Sequence, residues 1–144
     1  MADTQNYSNH TKFLPLFHFV VIPLLALNFF SQLVRLFMAP SWAMGFWTLL
    51  SITLILLALA SRLMAITVQD RVIRLEERLR YQRLLSPEIA EKASNLDVGE
   101  IIALRFASDD ELPGLVERTI NREFAKPKDI KLAVKNWRGD HLRV

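Results

Sequence analysis

The chain has no cysteine, so disulfides, thiolate nucleophiles and cysteine-held zinc are excluded at the outset. It has only four glycines in 144 residues, and none sits in a glycine-rich loop that could cradle a phosphate. Its three histidines, His10, His18 and His141, lie far apart in sequence and make no metal-binding pair at i,i+4 spacing. There is no HExxH, no acidic EF-hand loop and no nucleophile elbow around any serine. Charge is also scarce over one long stretch. Between Phe13 and Ile66 only Arg35 and Arg62 carry it, whereas from Thr67 onward charges recur every few residues. The two parts read as segments built for two solvents, lipid first and water second.

What is present follows from that division. The first apolar run, 13–38, would be about 39 Å long as a helix at about 1.5 Å per residue, enough to cross a hydrocarbon core of about 30 Å with tilt. Pro15 falls in its first turn, where a missing N–H costs little, and Pro23 falls inside it, where a kink is expected. The second run, 44–66, is also long enough to span. Ala39, Pro40 and Ser41 form the turn between them, flanked by Trp42 and Trp47 where an interfacial aromatic belt would place them. A cleaved leader is disfavoured, because the first run is too long and only Lys12 precedes it as a positive charge. Arg62, Arg71, Arg74, Arg78, Arg80 and Arg83 follow the second run, and the turn carries no charge. By the positive-inside rule both termini are then cytoplasmic. The glycosylation-like triplets at Asn6 and Asn9 become chance matches in that orientation.

Polar residues inside the runs are the first candidate site. Asn28, Gln32 and Arg35 share a helical face, with His18 within about 100° of it. In the second run Thr48, Ser51, Ile55, Ala58 and Arg62 also share one. A hairpin folded at Pro40 brings His18 level with Arg62, Asn28 with Ser51 and Gln32 with Thr48. The stripe His18, Asn28, Gln32, Arg35, Ser51 and Arg62 therefore reads first as a helix–helix interface. Intramembrane ionisable groups also mark solute paths, so the second reading is the lining of a small oligomeric channel. A single histidine is weak evidence for haem, and no cofactor is expected.

The second helix is expected to run on as a stalk over 67–85, since no glycine or proline interrupts Met64 to Ser86. Val68, Val72, Leu75 and Leu79 follow 4-3-4 spacing, a candidate self-association seam; the alternative is packing against the chain's own C-terminal domain. Asp70–Arg74 and Glu76–Arg80 read as i,i+4 pairs on a polar face. Short helices are expected from Ser86-Pro87, from Asp97 with Glu100 to about Phe106, and from Ser108 to about Phe124, where Ser108-Asp109-Asp110-Glu111 reads as a capping box. A last helix starts at Lys126-Pro127 and ends near Asn136-Trp137-Arg138-Gly139. The acidic trio Asp109, Asp110 and Glu111 is attributed to capping and the helix dipole rather than to a metal. C-terminal lysines and arginines are interleaved with acids, which argues for a solvated or headgroup-facing surface and against a nucleic-acid groove.

The expected architecture is an all-α membrane protein: a two-helix transmembrane hairpin whose long second helix extends into a small cytoplasmic helical domain. Its parts are a polar N-terminal segment (1–12), the hairpin (13–66), the stalk (67–85) and the domain (86–144). Three stretches carry a resemblance: Gln5 to His10, Leu104 to Glu111, and Lys135 to Arg138 with Asp140 and Arg143. Together they resemble a family of short bacterial two-span membrane proteins classed as a domain of unknown function. The resemblance implies that architecture and a bacterial origin, and transfers no catalytic residue; with the charge pattern it makes the expected location the bacterial inner membrane. The expected function is non-enzymatic: an accessory subunit or self-associating scaffold, with membrane lipids, a second copy or a larger membrane complex as partners and no nucleic acid.

Overall fold

The computed structural model describes residues 5–9 and 13–140; His10, Lys12, His141 and Arg143 lie outside them. Among the described residues the chain is helical, with no strand and a single isolated bridge between Ala107 and Trp137. The helices are α1 (Ile22–Met38), α2 (Trp42–Leu84), α3 (Pro87–Ser94), α4 (Val98–Leu104), α5 (Leu112–Ile120) and α6 (Pro127–Ala133). Two helical stretches, Leu16–Met38 and Trp42–Leu84, are long and apolar enough to cross a membrane by length and composition. The chain divides into two compact units, one over Phe13–Ile66 and one formed by Thr67–Arg143 with Met1–Lys12. α2 contributes residues to both.

In the hairpin unit, α1 is preceded by a π-helical segment, Leu16–Val21. Pro23 explains the change of helix type. Proline offers no N–H, so the ladder before it re-registers, and Ile22 donates its N–H to the Phe17 carbonyl five residues back. The perturbation expected at Pro23 thus takes the form of wider turns ahead of it. Packing between the two helices uses small side chains. Thr48 and Ser51 are buried, while the neighbouring large residues point outward. Thr48 donates to the Met44 carbonyl at 2.9 Å and reaches the Gln32 carbonyl at 3.4 Å, so residues 32 and 48 are level.

The other unit, the head, is built on the last four turns of α2. Ile73, Glu77, Arg80 and Tyr81 are buried there, at spacings that form one face. Against Tyr81 lies an apolar core of Ala93, Ile101, Leu104, Leu112, Val116 and Ile130. Local sequence explains most boundaries. Asp97 and Glu100 cap α4 reciprocally, and Asp129 accepts the Lys126 N–H at the start of α6. α5 stops before Phe124 because Arg122 takes φ 60°. The Glu123 N–H then returns to the Arg118 carbonyl and the Arg122 N–H to Thr119, a Schellman closure with arginine where glycine is usual. Gly99 lets α4 approach α6, since a Cβ there would lie 3.1 Å from the Pro127 ring.

One expectation is corrected here, and one of two alternatives for the stalk is removed. Ser108 to Glu111 is not the first turn of α5, which begins at Leu112. Ser108 does accept the Glu111 N–H, at a long 3.4 Å, but the Glu111 carboxylate does not return to it. That carboxylate instead accepts the N–H groups of Lys135 and Asn136 at 3.1 and 3.0 Å and the Asn136 amide at 3.3 Å. It thereby holds the segment after α6 against the α4–α5 connection. Nor does the seam of Val68, Val72, Leu75 and Leu79 pack on the C-terminal domain. These residues are 60, 48, 60 and 60% exposed, and the head covers another face of the helix.

Candidate functional site

The chemically densest place in the head is a buried cluster of charges on α2. Arg80 is its hub. Its Nε and Nη2 donate to one oxygen of Asp109 at 2.8 and 2.7 Å, Nη1 to Glu77 at 3.2 Å, and Nη2 also to the Ala107 carbonyl at 2.7 Å. The planar guanidinium fork makes this possible, because it presents several donors in fixed directions. Arg83 meets the other Asp109 oxygen at 3.3 Å, and Arg138 approaches Glu77 at 3.6 Å. Burial pushes the Glu77 carboxyl above its ordinary range, outweighing the nearby Arg80 and Arg138. The hydrogen bond from Arg80 holds Asp109 below its ordinary range. Burial likewise raises the Tyr81 phenol.

A second strap closes beside the first. Phe106 is fully buried, with the Trp137 ring 4.9 Å away and the Arg105 guanidinium 4.5 Å over its face. Arg105, itself buried, pairs with Asp140 at 3.1 Å. Backbone bonds from Ser108 to Asn136 and from Arg138 to Phe106 complete the bridge. The Asp140 N–H is accepted by the Gln5 side chain at 2.7 Å, so the polar N-terminal segment joins this corner. Between α2 and the strap is a cavity of about 440 Å³, lined among others by Ile73, Glu77, Arg80, Arg105 and Arg138. Every arginine of the cluster faces a carboxylate, so the arrangement is close to charge-balanced. Its evident chemistry is to fasten the C-terminal segment to α2. Among the described residues, no group of three histidine, aspartate or glutamate side chains could hold a metal.

The i,i+4 spacing predicts Arg80 on a polar face with Glu76. Arg80 is instead buried, and its partners are Glu77 and Asp109; Glu76 is exposed. Asp109 accordingly serves an ion pair with an element 29 residues away rather than a helix cap. The available signal was weak: Arg80, Tyr81 and Glu77 share a face with Ile73, but three of those four are polar.

The residues singled out in the spans are only partly brought together. Thr48 and Ser51 are buried in the hairpin, Gln32 and His18 are half-buried, and Arg62 is half-buried. Ser51 donates to the Thr48 carbonyl at 2.7 Å, and His18 Nδ1 lies 3.0 Å from the Leu14 carbonyl. Asn28 and Arg35 depart from the expected interface, since both are exposed. The half-buried face of α1 runs through Leu25, Phe29, Gln32 and Leu36, which turns Asn28 and Arg35 outward.

A two-helix hairpin continued into a small helical head is the class this fold defines. The chain belongs to the family of unknown function DUF6526, which matches residues 1–144. No curated protein and no solved structure matches the chain.

Proposed function

We propose that this chain is a non-enzymatic protein of the bacterial inner membrane. Phe13–Ile66 crosses the bilayer twice, both termini are cytoplasmic, and the head serves as a scaffold or accessory subunit that docks partners. The observation that carries the reading is the outward face of the two apolar helices. Leu24, Leu27, Phe30, Phe37, Leu56 and Leu57 are all exposed, over a length that matches a hydrocarbon core. In water such a continuous apolar surface would drive aggregation; in lipid it is the expected covering. The arginines that follow the second run favour retaining the head on the cytoplasmic side. Docking is supported by the build of the head, where balanced ion pairs brace one face of α2 and leave apolar residues on another.

The test is to purify the protein from its host membrane in mild detergent and determine its mass and composition. The expected result is resistance to carbonate extraction, followed by elution at fixed stoichiometry with other proteins or as a defined oligomer. Release by carbonate as a monomer would overturn it.

A second reading rests on the outward placement of Asn28 and Arg35, and on a buried Gln32 side-chain oxygen that has no partner among the described residues. These groups would line a small oligomeric channel or transport component. Replacing Asn28 and Gln32 by leucine abolishes conductance in reconstituted bilayers on this reading. On the first reading the same change weakens the hairpin modestly and leaves docking intact.

A further inference from the structure

We propose that two copies of this chain pair in parallel and in register along the outer face of α2, with Val68, Val72, Leu75 and Leu79 as the seam. In this arrangement Arg71 of each copy meets the partner's Glu76. The proposal rests on the membrane reading above and names the partner as a second copy.

The face is apolar, exposed and continuous. Its four residues are spaced 4-3-4, which keeps a left-handed seam in line between two helices. With Val72 and Leu79 at a and Val68 and Leu75 at d, the central layer has β-branched valine at a and leucine at d, the choice that favours two strands. The head packs on the face carrying Ile73, Glu77, Arg80 and Tyr81 and borders the seam only at Glu76 and Leu79, which line the cavity beside the strap yet stay exposed.

Charge then fixes direction. Arg71 falls at g and Glu76 at e, and both are exposed. In a parallel, in-register pair a g residue opposes the e′ residue five positions on, so Arg71 and Glu76 meet twice, once on each side. Two copies inserted in one bilayer with the same sense have parallel α2 helices at the same depth. The next g–e′ position joins Arg78 to Arg83, which are alike in charge. Both are already engaged within their own head: Arg78 donates to the Ser94 carbonyl at 3.0 Å, and Arg83 pairs with Asp109. Two heptads make a weak coiled coil in solution. Confinement to a membrane raises the effective concentration and removes the antiparallel alternative.

The absence of cysteine makes the test direct. Leu75→Cys and Val72→Cys are introduced singly into the full chain in native membranes, with Glu88→Cys, exposed on α3, as the control. Mild oxidation is expected to convert most of the Leu75→Cys protein to a disulfide-linked dimer and little of the Glu88→Cys protein. Adding Glu76→Arg to Leu75→Cys should cut cross-linking several-fold, and adding Arg71→Glu as well should restore it. Cross-linking at the seam no greater than at Glu88→Cys would overturn the proposal, as would failure of the charge swap to restore it. Seam cysteines that neither cross-link nor react with a bulky maleimide would mean another protein covers the face. That outcome ends the second-copy proposal and leaves the accessory-subunit reading standing. Free reaction with the maleimide removes both uses of the seam, while carbonate extraction still judges the membrane reading independently.

Discussion

Replacing Arg80 by alanine should nearly unfold the head while leaving the two apolar helices formed. Arg80 is 5% exposed and neutralises Glu77, which is 4% exposed and whose other close cation among the described residues is Arg138 at 3.6 Å. Removing it leaves a buried carboxylate half-compensated and the Ala107 carbonyl without its donor. Breaking one partner out of a buried pair costs about 3–5 kcal/mol. A unit of this size has about 4–11 kcal/mol in all. The readout is hydrogen exchange in the full chain in detergent, comparing amides of α4 to α6 with those of residues 44–60. Exchange in the head should accelerate by about two to four orders of magnitude, with the apolar helices unaffected. A second variant separates lost charge pairing from lost shape. Glu77→Leu combined with Arg80→Met removes both buried charges. The partners left behind, Asp109 and Arg138, are half-exposed and can turn to water. The double variant should therefore recover to within about 2 kcal/mol of the parent. If Arg80→Ala changes protection by less than about 1 kcal/mol, or the double variant is no better than the single, the cluster is not what holds the head.

Three further outcomes follow from the same geometry. Burial raises Glu77 above the ordinary glutamate value of 4.5, so the folded head binds that proton more tightly than the unfolded chain. Its contribution to stability falls as pH rises from the ordinary value through the raised one; Glu77→Gln should flatten that slope in denaturant titrations at several pH values. Asp109 has the opposite sign: its contribution is present above its ordinary value of 3.8 and lost as pH falls below it. Arg122→Gly should stabilise the head by up to about 1 kcal/mol, since φ 60° costs glycine nothing and the lost pair with Glu100 is made by an exposed arginine. Chemical denaturation checks it, and a loss of more than about 1 kcal/mol would show the Glu100 pair to matter more than the backbone. Glu111→Ala removes the acceptor for three donors on Lys135 and Asn136 and should cost about 1–2 kcal/mol. It should also speed hydrogen exchange at residues 134–140 before the rest of the head, and uniform loss of protection would contradict the strap.

Much of this protein was legible along one dimension. Two apolar runs, an uncharged turn between them and no helix breaker from Met64 to Ser86 dictate two long helices, because helix continuity and solvent preference depend on local sequence. The stripes Leu112, Leu115, Val116 and Ile130, Val134 face the head core as their spacing implies. What one dimension left open was the face of α2 that the head uses. Its apolar stripe of Val68, Val72, Leu75 and Leu79 points outward, and the head packs on a face that includes Glu77 and Arg80. Periodicity ranks a face by its hydrophobicity. It cannot register that Asp109, 29 residues beyond Arg80, would supply the charge that makes a polar face buriable. Glu111 departs from its expected cap for the same reason: a capping box is local, and its partners lie 24 and 25 residues on. Asn28 turned outward because the half-buried face of α1 runs through Leu25, Phe29, Gln32 and Leu36, with the Gln32 carbonyl 3.4 Å from the Thr48 hydroxyl. Sequence by itself determined which segments are helical and which of them are apolar enough, by length and composition, to cross a membrane. Tertiary structure alone decided which charges are buried, because a buried charge is stable only where a distant partner closes on it.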